Sequence, residues 1–306
     1  MQTITGGGVF TRQNINDIND NFAELQTVDV WVRPQYGNNN TADGSWDKPY
    51  ATMAGVSKLL KPGLVIGLDG VLLEEFAAPV GVNNVTIIGN QVTPRQATTS
   101  GIANGGGATW LSPSGGTGSL VTLRAQGWSF INVYFNCSAT AGACVKLSRS
   151  GTGDPPTDPD GSHAAFVNCR FTGANYGIED AGGCGFVQID QCEFFNFSGT
   201  GDTAIKNSST AIAAPLRWVI TNTTFWGNAN HIVSPASRWT IKGCVFQAAT
   251  TVNINFTGGV APNFVQQNAF GIAAADFDPA GGVTGVTGDA WSNYLTDAIE
   301  TGLPAN

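Results

Sequence analysis

Charge is scarce in this chain. Of its 306 residues only 12% are Asp, Glu, Lys or Arg, and 14 basic residues face 22 acidic ones, for a net charge of −8. A surface so poor in positive charge excludes nucleic acid and anionic membrane as main partners. No apolar run approaches 18 residues, so no membrane-spanning helix and no membrane insertion are expected. Met1–Ala23 holds no basic and apolar leader, and export by a signal peptide is not expected either. Histidine is reduced to His163 and His231, far apart and tied to no Cys or Ser motif. Without a phosphate loop, zinc-ligand spacing or dinucleotide fingerprint, no cofactor and no metal are expected. No proline-rich or charged linker divides the chain, so one main domain is the default.

What is abundant is Gly, at 40 residues, and a phrase of six. It runs apolar, any, turn residue, small or thiol, any, Phe. The phrase reads FINVYF at Phe130–Phe135, FVNCRF at Phe166–Phe171, IDQCEF at Ile189–Phe194, ITNTTF at Ile220–Phe225, IKGCVF at Ile241–Phe246 and VQQNAF at Val265–Phe270. Its terminal Phe positions lie 36, 23, 31, 21 and 24 residues apart, a period with variable insertions that marks a solenoid. One coil of a parallel β-helix fits that period, so the expected class is all-β, with about seven coils and a shaft of roughly 35 Å.

Assigning the places gives each a task. The first, fourth and sixth point inward. The third, occupied by Asn132, Asn168, Gln191, Asn222, Gly243 and Gln267, makes a sharp bend that needs positive φ, a demand that Asn and Gly meet better than Gln. The sixth place forms a stacked ladder of Phe135, Phe171, Phe194, Phe225, Phe246 and Phe270. Trp128, Trp218 and Trp239 lie two residues before the first place and share its face. Cys169, Cys192 and Cys244 take the fourth place as buried thiols. Cys137 and Cys144 are the best disulfide pair should one exist, and Cys184 has no obvious partner.

The ends read differently. Ile15, Ile18, Phe22 and Leu25 form the a/d seam of an amphipathic helix within residues 1–30, too short to stand alone, so it docks on its own domain or on other subunits. Residues 31–62 read as a loop followed by a helix opened by Pro49 that carries Met53, Val56, Leu59 and Leu60. The β-helix is assigned to residues 63–272. In residues 273–306, Trp291, Leu295, Ala298 and Ile299 have helical spacing and suggest a C-terminal cap.

The phrase "RWTIKGCVF" and its relatives resemble the coil of the pectate-lyase-like right-handed parallel β-helix superfamily. The stretch "NNTADGSWDKPYATMAGVSKLLKPGLVIGLDGVLLEEF" is similar to that superfamily's opening, and the resemblance spans about residues 37–272. The opening "VFTRQNINDINDNFAEL" and, less closely, the closing "AWSNYLTDAIETGLP" resemble segments of bacteriophage appendage proteins. These likenesses imply a structural virion protein, a fibre, spike or capsid decoration, assembled in the host cytoplasm. They further imply a homotrimer, with other virion proteins (capsid, portal or tail) as partners through the amino-terminal segment. A host surface polysaccharide is a further expected contact.

The chemistry of the superfamily's enzymes is not carried over, because no Asp cluster with a well-placed Arg or Lys recurs on successive coils. Polysaccharide depolymerase activity, the alternative, needs two carboxylates facing one groove. The candidates are Glu179, Asp180 and Asp202, with Asp190 and Glu193 on neighbouring coils read as outward places, and Glu74 and Glu75 as solvated edge residues. Asp154, Asp158 and Asp160 could ligate a hard cation, yet their spacing matches no calcium motif. A third reading is a non-catalytic glycan-binding module, with Tyr134, Tyr176 and Trp226 as outward rings that stack on sugars.

Overall fold

The structure is a computed structural model describing residues 28–90, 108–137, 142–148, 161–173, 175–208, 217–234, 238–256 and 263–271, with strands Val283–Thr284 and Tyr294–Leu295 beyond. The amino-terminal seam residues and the acidic loop at 151–160 lie outside the described residues.

One coil explains the rest. Ala165–Val167 turns sharply at Asn168 into Arg170–Thr172, bends again into Tyr176–Asp180, and returns to Gln188–Asp190 one level up. Repetition builds three sheets among the described residues, every strand parallel to its neighbours. Sheet I has nine strands from Val30–Val32 to Phe264–Gln266, sheet II nine from Val71–Leu73 to Tyr294–Leu295, and sheet III eight from Phe76–Ala77 to Val283–Thr284. This is a right-handed parallel β-helix, all-β. Eight steps at about 4.8 Å give a shaft of about 38 Å.

The register superposes equivalent places. Phe166 lies between Phe130 and Ile189, and Phe171 between Phe135 and Phe194. Asn132, Asn168, Gln191, Asn222, Gly243 and Gln267 all have φ between 51° and 66°, the two Gln included. Inside, the Phe column stacks without a break from Phe135 to Phe270, at centroid spacings of 5.1, 4.4, 5.1, 4.8 and 4.9 Å. Trp218 stacks on Trp239 at 4.7 Å, and Trp128 is equally buried.

The fourth place does more than fill space. Its side chain accepts the N–H of the same place one coil earlier: Cys192 Sγ from Cys169 N, Thr223 Oγ1 from Cys192 N, and Asn268 Oδ1 from Cys244 N. The bend leaves that N–H outside the sheet ladders, and a buried amide needs a partner. Thiol, hydroxyl and amide are therefore interchangeable there.

Several expectations are corrected. The shaft has nine levels rather than about seven, because Val30–Val32, Val65–Leu68 and Thr86–Gly89 are strands of sheet I without the Phe phrase. The helix shrinks to one turn, α1 at Met53–Val56, with Thr52 as its cap. Tyr50 is already paired with the first strand through Trp31 O and Arg33 N, so helical geometry starts only beyond it. Met53 and Val56 are buried, whereas Leu59 is exposed. Glu74 is no edge residue: its carboxylate accepts the N–H groups of Met53 and Ala54, and burial pushes its pKa up despite those bonds. Tyr294–Leu295, where helical spacing predicts a helix, is a strand paired with Ala269–Phe270, extending sheet II by one level. None of the six cysteines forms a disulfide, Cys137 and Cys144 included, and all six are buried.

Candidate functional site

The carboxylates proposed for cleavage are separated by the fold. Glu179 faces outward on sheet III in register between Lys146 and Lys206. It is 3.7 Å from Lys146 Nζ and accepts from Ser208 Oγ at 3.1 Å. Asp180, the next residue, points to the other face and is fully buried. Its Oδ1 accepts from Gly182 N and Cys184 N, its Oδ2 has no hydrogen-bond partner among the described residues, and burial pushes its pKa up to about 6. Asp202 precedes Thr203–Asn207 and accepts from Gly199 N at 2.9 Å. Because Asn207 is the register partner of Asp180, Asp202 lies five residues away along the strand, roughly 16 Å. Glycoside cleavage needs two carboxyls about 5 to 9.5 Å apart. On sheet II and sheet I, Glu193 is paired with Arg170 and Asp190 accepts from Thr221 and Asn222.

What the fold does bring together is aromatic. On the outer face of sheet II, the fifth places Tyr134, Arg170 and Glu193 lie beside the seventh places Phe195 and Trp226. Tyr134 stacks parallel to Phe195 at 6.3 Å, and Phe195 to Trp226 at 5.5 Å. The Arg170 guanidinium lies 5.5 Å from the Tyr134 ring centre and 4.8 Å from that of Phe195, and its Nε donates to Glu193 Oε2 at 2.6 Å. The other oxygen of Glu193 accepts from Trp226 Nε1 at 3.0 Å. Burial raises the Tyr134 pKa, opposed by the charge of Arg170. The result is a row of parallel rings, half-buried at Tyr134 and Trp226 and buried at Phe195, whose orientation is fixed by one ion pair. Rings stacked on one another in this way present C–H edges to a partner with little ordering cost.

Tyr176 is not part of that row. It stands on sheet III, 5.0 Å below the ammonium of Lys206. Sequence reasoning missed Arg170, Glu193 and Phe195 as members of the row; the usable signal was that they occupy the same outward places of the phrase as Tyr134 and Trp226. His231 lies in the core between the Phe225 and Phe246 rings, with Nδ1 2.9 Å from Asn228 Nδ2, and burial lowers its pKa to about 3.

No family model matches the chain, and no curated protein does. Solved structures do. A pectin methylesterase from Aspergillus niger superposes with a TM-score of 0.51 at 13% identity, covering 88% of this chain and 86% of its own. A pectin methylesterase from Erwinia chrysanthemi reaches 0.44 at 12% identity, covering 89% and 94%. A lacto-N-biosidase from Eubacterium ramulus reaches 0.43 at 8%, covering 92% and 70%. The first of these likenesses shows the shared β-helix fold.

Proposed function

We propose that the protein is a β-helical virion appendage of a bacteriophage that contacts host-surface polysaccharide without cleaving it. The observation that carries the contact is the ring row of Tyr134, Phe195 and Trp226, oriented by Arg170 and Glu193 on the outside of the shaft. Cleavage is disfavoured because Glu179, Asp180 and Asp202 face different surroundings and each is engaged locally. Attachment to other virion proteins, and assembly as a trimer, rest on the likeness of Val9–Leu25 to phage attachment segments.

Two experiments test this reading. Trp226→Ala lowers adsorption to host cells or to purified capsule or lipopolysaccharide at least tenfold, while incubation with the unmodified protein releases no reducing ends or unsaturated products. Unchanged adsorption removes the binding role, and released products restore the depolymerase alternative. Sedimentation of the full chain gives a trimer, and removal of residues 1–30 abolishes incorporation into particles; a stable monomer that never joins particles ends the virion reading.

A further inference from the structure

Three residues before the first place of the phrase, or before its register equivalents Ile66 and Ile87, seven successive levels among the described residues turn a corner into sheet I with positive φ. The corner is held by Gly63, Asn84 and Gly127 in the early coils, at 82°, 59° and 73°. Gly and Asn take this conformation cheaply. The next four levels do something else. There the corner residues are His163, Phe186, Arg217 and Arg238, at 60°, 58°, 48° and 64°. Bulky side chains rarely occupy that region, and residues held there at a cost cluster at functional sites.

These four side chains are exposed and stand on successive levels, because the strands that follow them pair Ala165 with Gln188, Gln188 with Val219, and Val219 with Thr240. His163 stacks flat on Phe186 at 4.8 Å, and the Arg217 guanidinium lies 5.5 Å from the Phe186 ring centre. Phe186 is nonetheless 47% exposed. Among the described residues, neither Arg217 nor Arg238 meets a carboxylate. Beside the column run Gln188 and Val219, both exposed. In a chain of net charge −8, this is a ladder of cations and rings, one per coil at about 4.8 Å, kept where glycine would be easier.

We propose that this corner column is a binding site for a carboxylate-bearing polysaccharide, with the exposed edges of the stacked Phe186 and His163 rings lying against the sugars and Arg217 and Arg238 pairing with carboxylates. It stands apart from the ring row of sheet II, so either site can fail without the other. An acidic glycan fits better than a second copy of this chain, because two chains of net charge −8 repel each other as wholes.

The test is calorimetric titration of the full chain with polygalacturonate, dextran and phosphatidylglycerol vesicles, for the unmodified protein and for Phe186→Gly and Arg217→Gly. Glycine is the residue that Gly63 and Gly127 already place at this corner, so the variants keep the backbone. The expected result is binding to polygalacturonate but not to dextran, weakened at least tenfold in each variant, with a melting temperature unchanged or raised by roughly 2 °C. Equal binding by the variants, no preference for polygalacturonate over dextran, or binding to vesicles alone overturns the proposal. A melting temperature lowered by more than about 4 °C overturns it too, because the column is then structural cement.

Discussion

The shaft carries two kinds of ring stack, and they obey different rules. The inner column, Phe135 to Phe270, repeats one residue at one place without interruption, and all six rings are buried. The outer row on sheet II skips a level between Tyr134 and Phe195, mixes Tyr, Phe and Trp, and is braced by an ion pair. Both sit on the same parallel register. Inside, a small or polar side chain would leave a void or a buried polar group, so the place stays large and apolar, as Trp110 and Leu72 do where they continue it below Phe135. Outside, water fills any gap, so residue identity is free to answer to something other than packing.

The comparison breaks first at its strongest point. Phe194→Ala, in the middle of the inner column, is expected to cost about 3–5 kcal/mol of unfolding free energy by chemical denaturation. Trp226→Ala, on the outer row, should cost much less, and equal losses would erase the distinction between the two stacks.

Buried charge sharpens the same contrast. Asp180 has its pKa raised to about 6, so it favours the folded state fully below about pH 4 and loses that contribution as pH rises through 6. His231, lowered to about 3, favours the folded state above 6.5 and loses that contribution as pH falls towards 3. Between about pH 4 and 6 the two slopes oppose each other. Asp180→Asn removes one of them: stability at pH 7 rises, by about 3 kcal/mol at most, and acid destabilisation then begins near pH 6.5 rather than near 4. A variant whose stability follows the parent at every pH would show that Asp180 is not buried as an ion.

Smaller effects are expected at the bend. Asn168 combines φ of 53° with a 2.7 Å hydrogen bond to Asn132 Oδ1, so Asn168→Ala should cost about 1–2 kcal/mol. Glu179→Gln, which breaks a partly exposed pair with Lys146, should cost below about 1 kcal/mol and leave glycan adsorption intact. Loss of adsorption in that variant would move the binding face from sheet II to sheet III.

How far the sequence could be read follows from the same contrast. Places one, three and six were legible because each answers to a single demand, burial, bend or stacking, repeated on six levels; place four was legible as a buried place but not as a hydrogen-bond acceptor. Of the first three levels, Val65–Leu68 and Thr86–Gly89 fell within the residues read as β-helix although they lack the phrase, whereas Val30–Val32 lay outside them. Sheet III defeated alternation: Ala143, Cys144 and Val145 are consecutively buried, as are Thr203, Ala204 and Ile205. Period-two reasoning therefore could not place Glu179 outside and Asp180 inside. The corner column was missed because His, Phe and Arg share no property that a composition search rewards; only their common φ unites them.

The hydrogen bonds of the fourth place also give the shaft a direction. Cys169 N waits for the sulfur of Cys192, Cys192 N for the hydroxyl of Thr223, and Cys244 N for the amide of Asn268. Each level is completed by the one made after it. A chain emerging from the ribosome thus always ends in an unfinished turn, and closing that turn is the task of whatever is synthesised next.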